Sequence, residues 1–461
     1  MRHYFCEHLF TGLEWLESVH LTVNAEGDIA SLRAVGAGDR AAAAAERLPG
    51  PVVPGLPNLH SHAHQRAMAG LAERASAGGR DSFWSWREVM YRHLAALTPD
   101  DLEAIAAQAY VEMLESGFTA VGEFQYLHHQ ADGSPYEQPA EMTLRCLAAA
   151  RSVGLGMTAL PVFYAQGGFA GQPPGEGQKR FVCDLDLFAE IIEAVRAALE
   201  AAPRDGALGL APHSLRAVGP EDLRALEGLA PGLPIHLHIA EQVREVEDCL
   251  AWCGRRPVEW LLENHEVSAR WCLVHATHLG DGELEGLARS GAVAGLCPVT
   301  EANLGDGIFR AAEYLRRGGS LGLGTDSHIA IDPVHEMRLL EYGQRLRELG
   351  RNALAGAPRA STGESLLRAA LEGGARACGR RIGRLAAGSR ADWLVLDGDA
   401  PFFAARAASE LIDSWIFASS RPAVREVYVA GRRVVEAGRH VRRDSVAARF
   451  RSTLEHLRSR A

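Results

Sequence analysis

Residues 54–65, PGLPNLHSHAHQ, combine an apolar run with three histidines at every second position, His60, His62 and His64. Successive side chains of a β-strand point to opposite faces, so a strand here presents His60 and His62 on one side. Two imidazoles on one side of a strand can ligate a single metal ion. His64 shares the alternation but follows the expected strand end, and we interpret it as a loop residue that is not a ligand.

Seven further apolar runs of strand length follow this stretch, with segments of helical periodicity between them. The runs are FTAVGEFQY (118–126), GLGMTALPVFY (154–164), GALGLAPHS (206–214), LPIHLHIAEQ (233–242), RWCLVHATH (270–278), GAVAGLCPV (291–299) and GSLGLGTDS (319–327). Alternation of strand and helix is typical of an α/β fold with a parallel sheet. Eight such units predict a (β/α)8 TIM barrel over residues 53–384.

Both ends of the chain carry short alternating runs, such as SVHLTVNAEGDIASLRAV (18–35) and VREVYVAGRRVVEAGRH (424–440). Alternation of this kind predicts short strands joined by turns. Residues 1–52 and 385–440 are therefore predicted to form one small β-sandwich domain built from both termini. A C-terminal helix is predicted over residues 441–461.

The composition of the 461 residues, 47% hydrophobic and 23% charged, is that of a globular protein. A formal net charge of −10 argues against a nucleic-acid binder. No run reaches the 18 apolar residues of a membrane span, and Glu7 and His8 interrupt the apolar core that an export signal needs. The eight cysteines are scattered, and we expect reduced thiols and a cytoplasmic location.

The active site of such a barrel lies at the C-terminal ends of its strands, so the polar residues that end the runs are candidates for it. They are His60, His62, Glu123, Tyr126, His213, Arg216, His238, Glu241, His275, Glu301, Asn303 and Asp326. His238 and Asp326 can reach the point that His60 and His62 face. Three imidazoles and a carboxylate predict a site for one divalent metal ion, zinc first and iron as the alternative.

The remaining histidines receive other interpretations. His236 is in phase with His238 but one step deeper, and we interpret it as a packing residue. Four more, which follow the ends of the runs, are interpreted as solvated loop residues: His128, His129, His278 and His328.

Four motifs in this order, PGLPNLHSH, HLHIAEQ, LVHATHL and LGTDS, resemble those of the amidohydrolase superfamily over nearly the whole chain. Two-metal members of that superfamily usually bridge their ions with a carboxylated lysine at the end of the fourth strand. Here that run ends in LAPHS, and the only lysine, Lys179, lies in a different loop. The resemblance therefore implies the single-metal, deaminase-like branch, where a glutamate three residues after the fifth-strand histidine is typical; Glu241 has that position.

Three further stretches, FQYLHHQADGSPY (124–136), APHSLRAV (211–218) and CPVTEANLGDG (297–307), are similar to the formimidoylglutamate deiminase family. That family hydrolyses the C=N bond of N-formimidoyl-L-glutamate, in histidine degradation, to N-formyl-L-glutamate and ammonia. The implied catalytic residues are Glu241 and Asp326 for proton transfer and His275 for orienting or polarising the attacking water. The implied binding residues for a small dicarboxylate substrate are Gln65, Tyr126, His213 and Arg216, with the guanidinium of Arg216 suited to a carboxylate.

Two other hypotheses stay open on these residues. One is a single-metal ring deaminase acting on guanine or cytosine, with Phe124, Trp84 and Trp86 as stacking surfaces. The other is a non-catalytic barrel, which an incomplete ligand set would indicate. Because members of the family commonly pair, a homodimer is expected, with neither nucleic acid nor membrane as a partner.

Overall fold

The structure, a computed structural model, describes residues 1–36, 39–75, 81–201 and 205–460. The described chain begins with five strands that precede the barrel. They are β1 (Arg2–Phe10), β2 (Trp15–Val23), β3 (Ile29–Ala34), β4 (Glu46–Arg47) and β5 (Val52–Pro54).

Nine parallel strand segments then form a closed barrel in the described residues. They are β6 (Leu56–Ser61), β7 (Phe118–Gln125), β8 (Gly156–Phe163), β9 (Gly206–Leu208), β10 (Ala211–Pro212), β11 (Ile235–Ile239), β12 (Trp271–His275), β13 (Val293–Leu296) and β14 (Ser320–Leu323). β9 and β10 both pair with β8 and together make the fourth barrel strand. The eight predicted runs therefore all supply barrel strands, and the predicted (β/α)8 fold is confirmed.

Backbone contacts close the barrel at two places. The amide of His62 donates to the carbonyl of Asp326 at 3.1 Å, and the amide of Asp326 donates to the carbonyl of His60 at 3.0 Å. A parallel bridge between Leu210 and Ile235 joins the fourth and fifth strands. Closure brings the first and eighth barrel strands side by side, so their polar ends meet at one rim.

Helices cover the outside of the barrel and part of its mouth. In chain order they are α1 (Arg40–Ala43), α2 (Phe83–Leu94), α3 (Pro99–Ser116), α4 (Glu141–Val153), α5 (Leu185–Glu200), α6 (Pro220–Leu229), α7 (Val243–Cys253), α8 (Pro257–Asn264), α9 (Asp281–Ser290), α10 (Pro298–Leu304), α11 (Ala311–Arg316), α12 (Pro333–Glu348), α13 (Thr362–Ala377), α14 (Ala408–Ala418) and α15 (Arg443–Arg460). None of the helices in the described ranges is both long and apolar enough to cross a membrane.

Local sequence explains where α3 begins and ends. Thr98 caps its first turn in a reciprocal pair with Asp101, and Pro99 occupies the first helical position, where its missing N–H costs nothing. Gly117 ends the helix with φ 115°, a left-handed conformation that glycine adopts without strain. The chain therefore turns directly into β7, every residue of which is buried.

Four strands after the barrel complete the sheet that the first five began: β15 (Trp393–Leu396), β16 (Val424–Val429), β17 (Arg432–Glu436) and β18 (Arg439–His440). β5 joins the two sets because it pairs with β1 on one side and with β15 on the other. The predicted β-domain built from both termini is thereby confirmed.

This sheet curves around its own core. In the strand order, β1 and β16 are three strands apart, which in a flat sheet would be about 14 Å at the usual spacing. The ring centroids of Tyr4 on β1 and Tyr428 on β16 are nevertheless only 5.6 Å apart, and Trp393 contacts both rings. The two layers of the predicted sandwich are therefore the two halves of one curved sheet.

Candidate active site

Three imidazoles converge at the C-terminal rim of the barrel. The Nε2 atom of His60 lies 3.2 Å from Nε2 of His62 and 3.0 Å from Nε2 of His238. One carboxylate oxygen of Asp326 lies 3.3 Å from Nε2 of His62 and 3.7 Å from Nε2 of His60. Ligand atoms bound tetrahedrally to zinc are about 3.3 Å apart, given Zn–N distances of about 2.0–2.1 Å. The three histidines form a site that can hold a metal ion, and Asp326 borders it.

The protonation of these imidazoles also suits a metal. Nδ1 of His62 lies 2.9 Å from the carbonyl oxygen of Phe124, and Nδ1 of His238 lies 3.2 Å from that of His213. A carbonyl can only accept, so Nδ1 carries the proton and the Nε2 lone pair is free to ligate. Burial lowers the pKa of His62 to about 3 and the pKa of His60 and His238 well below the ordinary value. All three are therefore neutral, the form that binds metals.

Acidic groups surround the sixth-strand histidine. Nε2 of His275 lies 3.8 Å from Oε1 of Glu241 and 3.9 Å from Oδ2 of Asp326, and its Nδ1 lies 3.3 Å from Oε1 of Glu301. Although burial lowers the pKa of His275, Glu241, Glu301 and Asp326 together raise it to about 10. Burial raises the pKa of Asp326 to about 7 against the charge of His275. Proton donors and acceptors thus lie side by side next to the metal ligands.

Left-handed backbone conformations are concentrated at this rim. They occur at Ala240 (φ 51°), His275 (φ 67°), Ala276 (φ 47°), Asp326 (φ 46°) and His328 (φ 56°). Each such conformation costs free energy in a residue other than glycine, and strain of this kind is typical of functional sites. Here it turns the chain at the ends of the fifth, sixth and eighth barrel strands, where Glu241, His275 and Asp326 face the pocket.

A pocket opens above the three clustered histidines and Asp326. The predicted binding residues Gln65, Tyr126, His213 and Arg216 line it, as do the predicted catalytic residues and three of the four predicted ligands. His60 is fully buried beneath it. The structure therefore brings together the predicted metal ligands and the implied catalytic and binding residues, whereas the other candidates, Glu123, Glu301 and Asn303, do not line the pocket.

Helix α2 forms the outer wall of the pocket; from the sequence, only its Trp84 and Trp86 were considered for the site, as stacking surfaces for a ring substrate. Its lining residues are Phe83, Trp86, Arg87, Met90 and Tyr91, and Tyr164, Phe181 and Leu304 complete the wall. Arg180, which is buried, holds the C-terminal end of α2 in place, because its guanidinium donates to the carbonyls of Leu94, Leu97 and, at 2.9 Å, His129.

Two guanidinium groups with unused donors face the pocket. Nε of Arg216 is buried without a hydrogen-bond partner among the described residues, and its nearest carboxylate, that of Glu245, is 4.0 Å away. Nε of Arg87 is likewise buried and unpartnered within those residues. A buried N–H without an acceptor costs free energy, so these donors indicate an anionic ligand.

A sequence profile of the amidohydrolase family matches residues 52–434. The chain belongs to the amidohydrolase family. It is 51% identical to a formimidoylglutamate deiminase from Pseudomonas aeruginosa, over 98% of this chain and 99% of that protein. It also resembles a crystal structure of an amidohydrolase from Brucella melitensis, with 47% identity, a TM-score of 0.94 and coverage of 99% and 100%. An adenosine deaminase from Xanthomonas campestris, solved with bound zinc, shares the fold at 22% identity, with a TM-score of 0.80 and coverage of 99% and 98%. The predicted superfamily is confirmed.

The only lysine of this amidohydrolase lies far from any bridging position. Lys179 pairs with Glu176 in the exposed loop after β8, and it does not line the pocket. The fourth barrel strand instead ends at His213, as the sequence predicted. The residues described here therefore form no lysine-bridged pair of metal sites.

The prediction that four histidines of this amidohydrolase are solvated was wrong for three of them. His128 and His129 are buried because their Nε2 atoms bond the carbonyl oxygens of Val162 at 2.7 Å and Val182 at 2.6 Å. His328 is fully buried next to the hydroxyl of Ser61, 2.9 Å from its Nε2. His278 is half-buried. Their hydrogen-bond partners are supplied by neighbouring barrel strands and by the loop after β8, which the sequence did not place nearby.

The histidines interpreted as non-ligands lie outside the metal cluster of this amidohydrolase. Nε2 of His236 bonds the carbonyl of Ala377 at 2.8 Å, which fits a packing role. His64 is buried on a 3₁₀ turn, with its Nε2 2.8 Å from the hydroxyl of Tyr126. Glu301 braces the seventh loop by accepting from the amide of Cys297 at 2.9 Å, whereas Asn303 bonds Glu73 at the surface, outside the pocket.

Proposed function

We propose that this amidohydrolase hydrolyses the C=N bond of N-formimidoyl-L-glutamate to give N-formyl-L-glutamate and ammonia. The observation that carries the proposal is the presence, in one pocket, of a cluster of candidate metal ligands and two guanidinium groups whose buried Nε atoms have no hydrogen-bond partner among the described residues. The substrate has one imine carbon to be attacked and two carboxylates to be bound. The high identity to a deiminase of that name over nearly the full length supports the same substrate.

The catalytic roles follow from the positions of the side chains. When bound by His60, His62, His238 and Asp326, a divalent ion, which we propose is zinc, lowers the pKa of water and supplies a nucleophile near neutral pH. Asp326 takes a proton from the attacking water.

Glu241 gives a proton to the imine nitrogen as the C–O bond forms. As the C–N bond breaks, Glu241 takes the remaining proton of the new hydroxyl and passes it to the departing ammonia, and Asp326 returns the proton of the attacking water to Glu241. Protonated His275 donates a hydrogen bond to the oxygen that gains negative charge. The net reaction consumes one water and releases one ammonia, so both carboxylates end in their starting state.

The substrate carboxylates are proposed to bind Arg216 and Arg87. Replacing Arg216 with methionine is expected to raise KM about 10- to 100-fold, because a hydrogen bond to a charged group contributes about 1.5–3 kcal/mol. Steady-state ammonia release gives KM, and Arg87→Met should act in the same direction. Arg289→Met serves as the control, since that side chain is 72% exposed on α9 and outside the pocket. An unchanged KM in both pocket variants would refute this assignment.

The choice of substrate is tested by ammonia release from N-formimidoyl-L-glutamate, guanine and cytosine, assayed side by side. Turnover of the first alone is expected. One of the stacking surfaces suggested for a ring deaminase, Phe124, is not available to a substrate. Its side chain is fully buried against the ring of His238, with ring centroids 4.5 Å apart. Turnover of guanine or cytosine without turnover of the formimidoyl compound would overturn the proposal.

The homodimer and the cytoplasmic location stay predictions. An exposed apolar strip on and just beyond α12, formed by Tyr342, Leu346 and Leu349, supports the dimer. Tyr342 and Leu346 are four residues apart on α12 and so share one face of it, and Leu349 follows directly where the helix ends.

A further inference from the structure

Three guanidinium groups surround a single indole at the mouth of the pocket. The Cζ atoms of Arg87, Arg244 and Arg216 lie 4.5, 4.8 and 6.0 Å from the centroid of a Trp84 ring. The ring face of tryptophan attracts cations and so holds these side chains near one another. Such a concentration of positive charge is notable in a chain with a formal net charge of −10.

The three arginines lie at increasing depth. Arg244, in the first turn of α7, has a side chain that is 64% exposed, whereas the side chain of Arg216 is 13% exposed and lines the pocket. Arg87 also lines the pocket, one helical turn after Trp84 on α2. The positive groups therefore extend from the protein surface to the bottom of the site.

Nearby carboxylates balance this charge only in part. Arg244 lies 3.7 Å from Asp248, a pair exposed on the surface, and such pairs contribute little. Arg216 has Glu245 at 4.0 Å. Among the described residues, no carboxylate lies within 4.0 Å of the Arg87 guanidinium. Mutual repulsion of the arginines is relieved when an anion joins them.

We propose that Arg244 and Trp84 form the outer part of a cationic track, which captures a dicarboxylate substrate at the surface and passes it to Arg216 and Arg87. This inference rests on the proposed function, because that function makes the substrate a dicarboxylate. A focused positive potential raises the local concentration of an anionic substrate and its rate of entry. Salt screens an exposed charge such as Arg244 more than it screens buried Arg216.

The test compares wild type with Arg244→Gln over an ionic strength of about 0.01 to 0.5 M. At low salt we expect kcat/KM for N-formimidoyl-L-glutamate to fall about three- to tenfold in the variant, and at high salt the two proteins should converge. The loss should appear in kcat/KM rather than in kcat. Arg289→Gln is the matched control, because it removes an equally exposed arginine, also paired with a carboxylate, from a distant helix.

A second measurement separates this inference from the proposed reaction. The Kd of N-formyl-L-glutamate, a dianion that needs no turnover, is measured by calorimetry over the same range of salt. If Arg244→Gln and Arg289→Gln match wild type in both measurements, the track is refuted even though the reaction stands. If wild type shows no turnover but its binding is salt-dependent and weakened by Arg244→Gln, the track stands and the proposed reaction fails. Absence of both turnover and binding would overturn both.

Discussion

Replacing Glu241 with glutamine is expected to lower kcat by about 10²–10⁴, the range that a positioned general acid–base contributes. Glutamine keeps the size of the side chain and can still form hydrogen bonds, but it cannot carry a proton. Glu241 is buried, and its Oε1 is 3.8 Å from His275, so solvent cannot readily replace it as the proton carrier. Ammonia release in the steady state measures the effect.

Metal content distinguishes a catalytic role from a structural one in the Glu241→Gln variant. Elemental analysis should find as much metal per chain as in wild type, because the glutamate is not among the clustered ligands. Glu247→Gln, an exposed position on α7, is the matched control and should retain full activity. A Glu241→Gln enzyme with more than a tenth of the wild-type kcat would rule out the proposed proton transfer.

The second large effect is expected from His238→Asn. Loss of a side chain that hydrogen-bonds a metal ligand typically weakens metal binding about 10- to 100-fold. Loss of the His238 imidazole, which belongs to the cluster itself, should therefore weaken metal binding more than about 100-fold. Activity should fall with metal occupancy, and the rise in Tm that added zinc gives the wild type should disappear, since metal binding stabilises only the folded state. Elemental analysis and thermal unfolding with and without zinc provide the two readouts.

His236→Asn is the control for that experiment. His236 precedes the ligand by two residues on β11 and is equally buried, but it bonds a backbone carbonyl outside the cluster. Its replacement should lower the free energy of unfolding by about 1–3 kcal/mol, the cost of an unmet buried hydrogen bond, and leave zinc binding intact. Equal zinc affinity in wild type and His238→Asn would show that His238 is not a metal ligand.

Strand geometry made the inner part of this site predictable. The alternation of side chains on β6 placed His60 and His62 on one side, and the common direction of the barrel strands brought His238, His275 and Asp326 to the same rim. Both rules depend only on the spacing of residues along the chain. Both rules can therefore be applied to a sequence without knowledge of its tertiary contacts.

The positions of the outer residues of the site depend on tertiary contacts, which the spacing of residues along the chain does not determine. Arg87 lies on an amphipathic helix whose position over the mouth is set by Arg180, almost a hundred residues later, through carbonyls at the end of α2. His128 and His129 are buried because their loop folds onto carbonyls of the segments around β8. A sequence identifies such residues as polar, but only the folded chain shows which of them find partners.

The position of β5 in the middle of the curved sheet sets an order of events during synthesis. β5 pairs with β15, which lies some 340 residues later, so the first strands of the chain cannot complete their sheet until residues beyond Leu396 have been made. At about 5–20 residues per second, that delay is roughly 20 to 70 seconds on the ribosome. Because β6 follows β5 directly, His60 and His62 are synthesised early, whereas His238 and Asp326 follow them about 180 and 270 residues later. The complete ligand set therefore exists only after Asp326 has been made, and products truncated before that residue should contain no complete site.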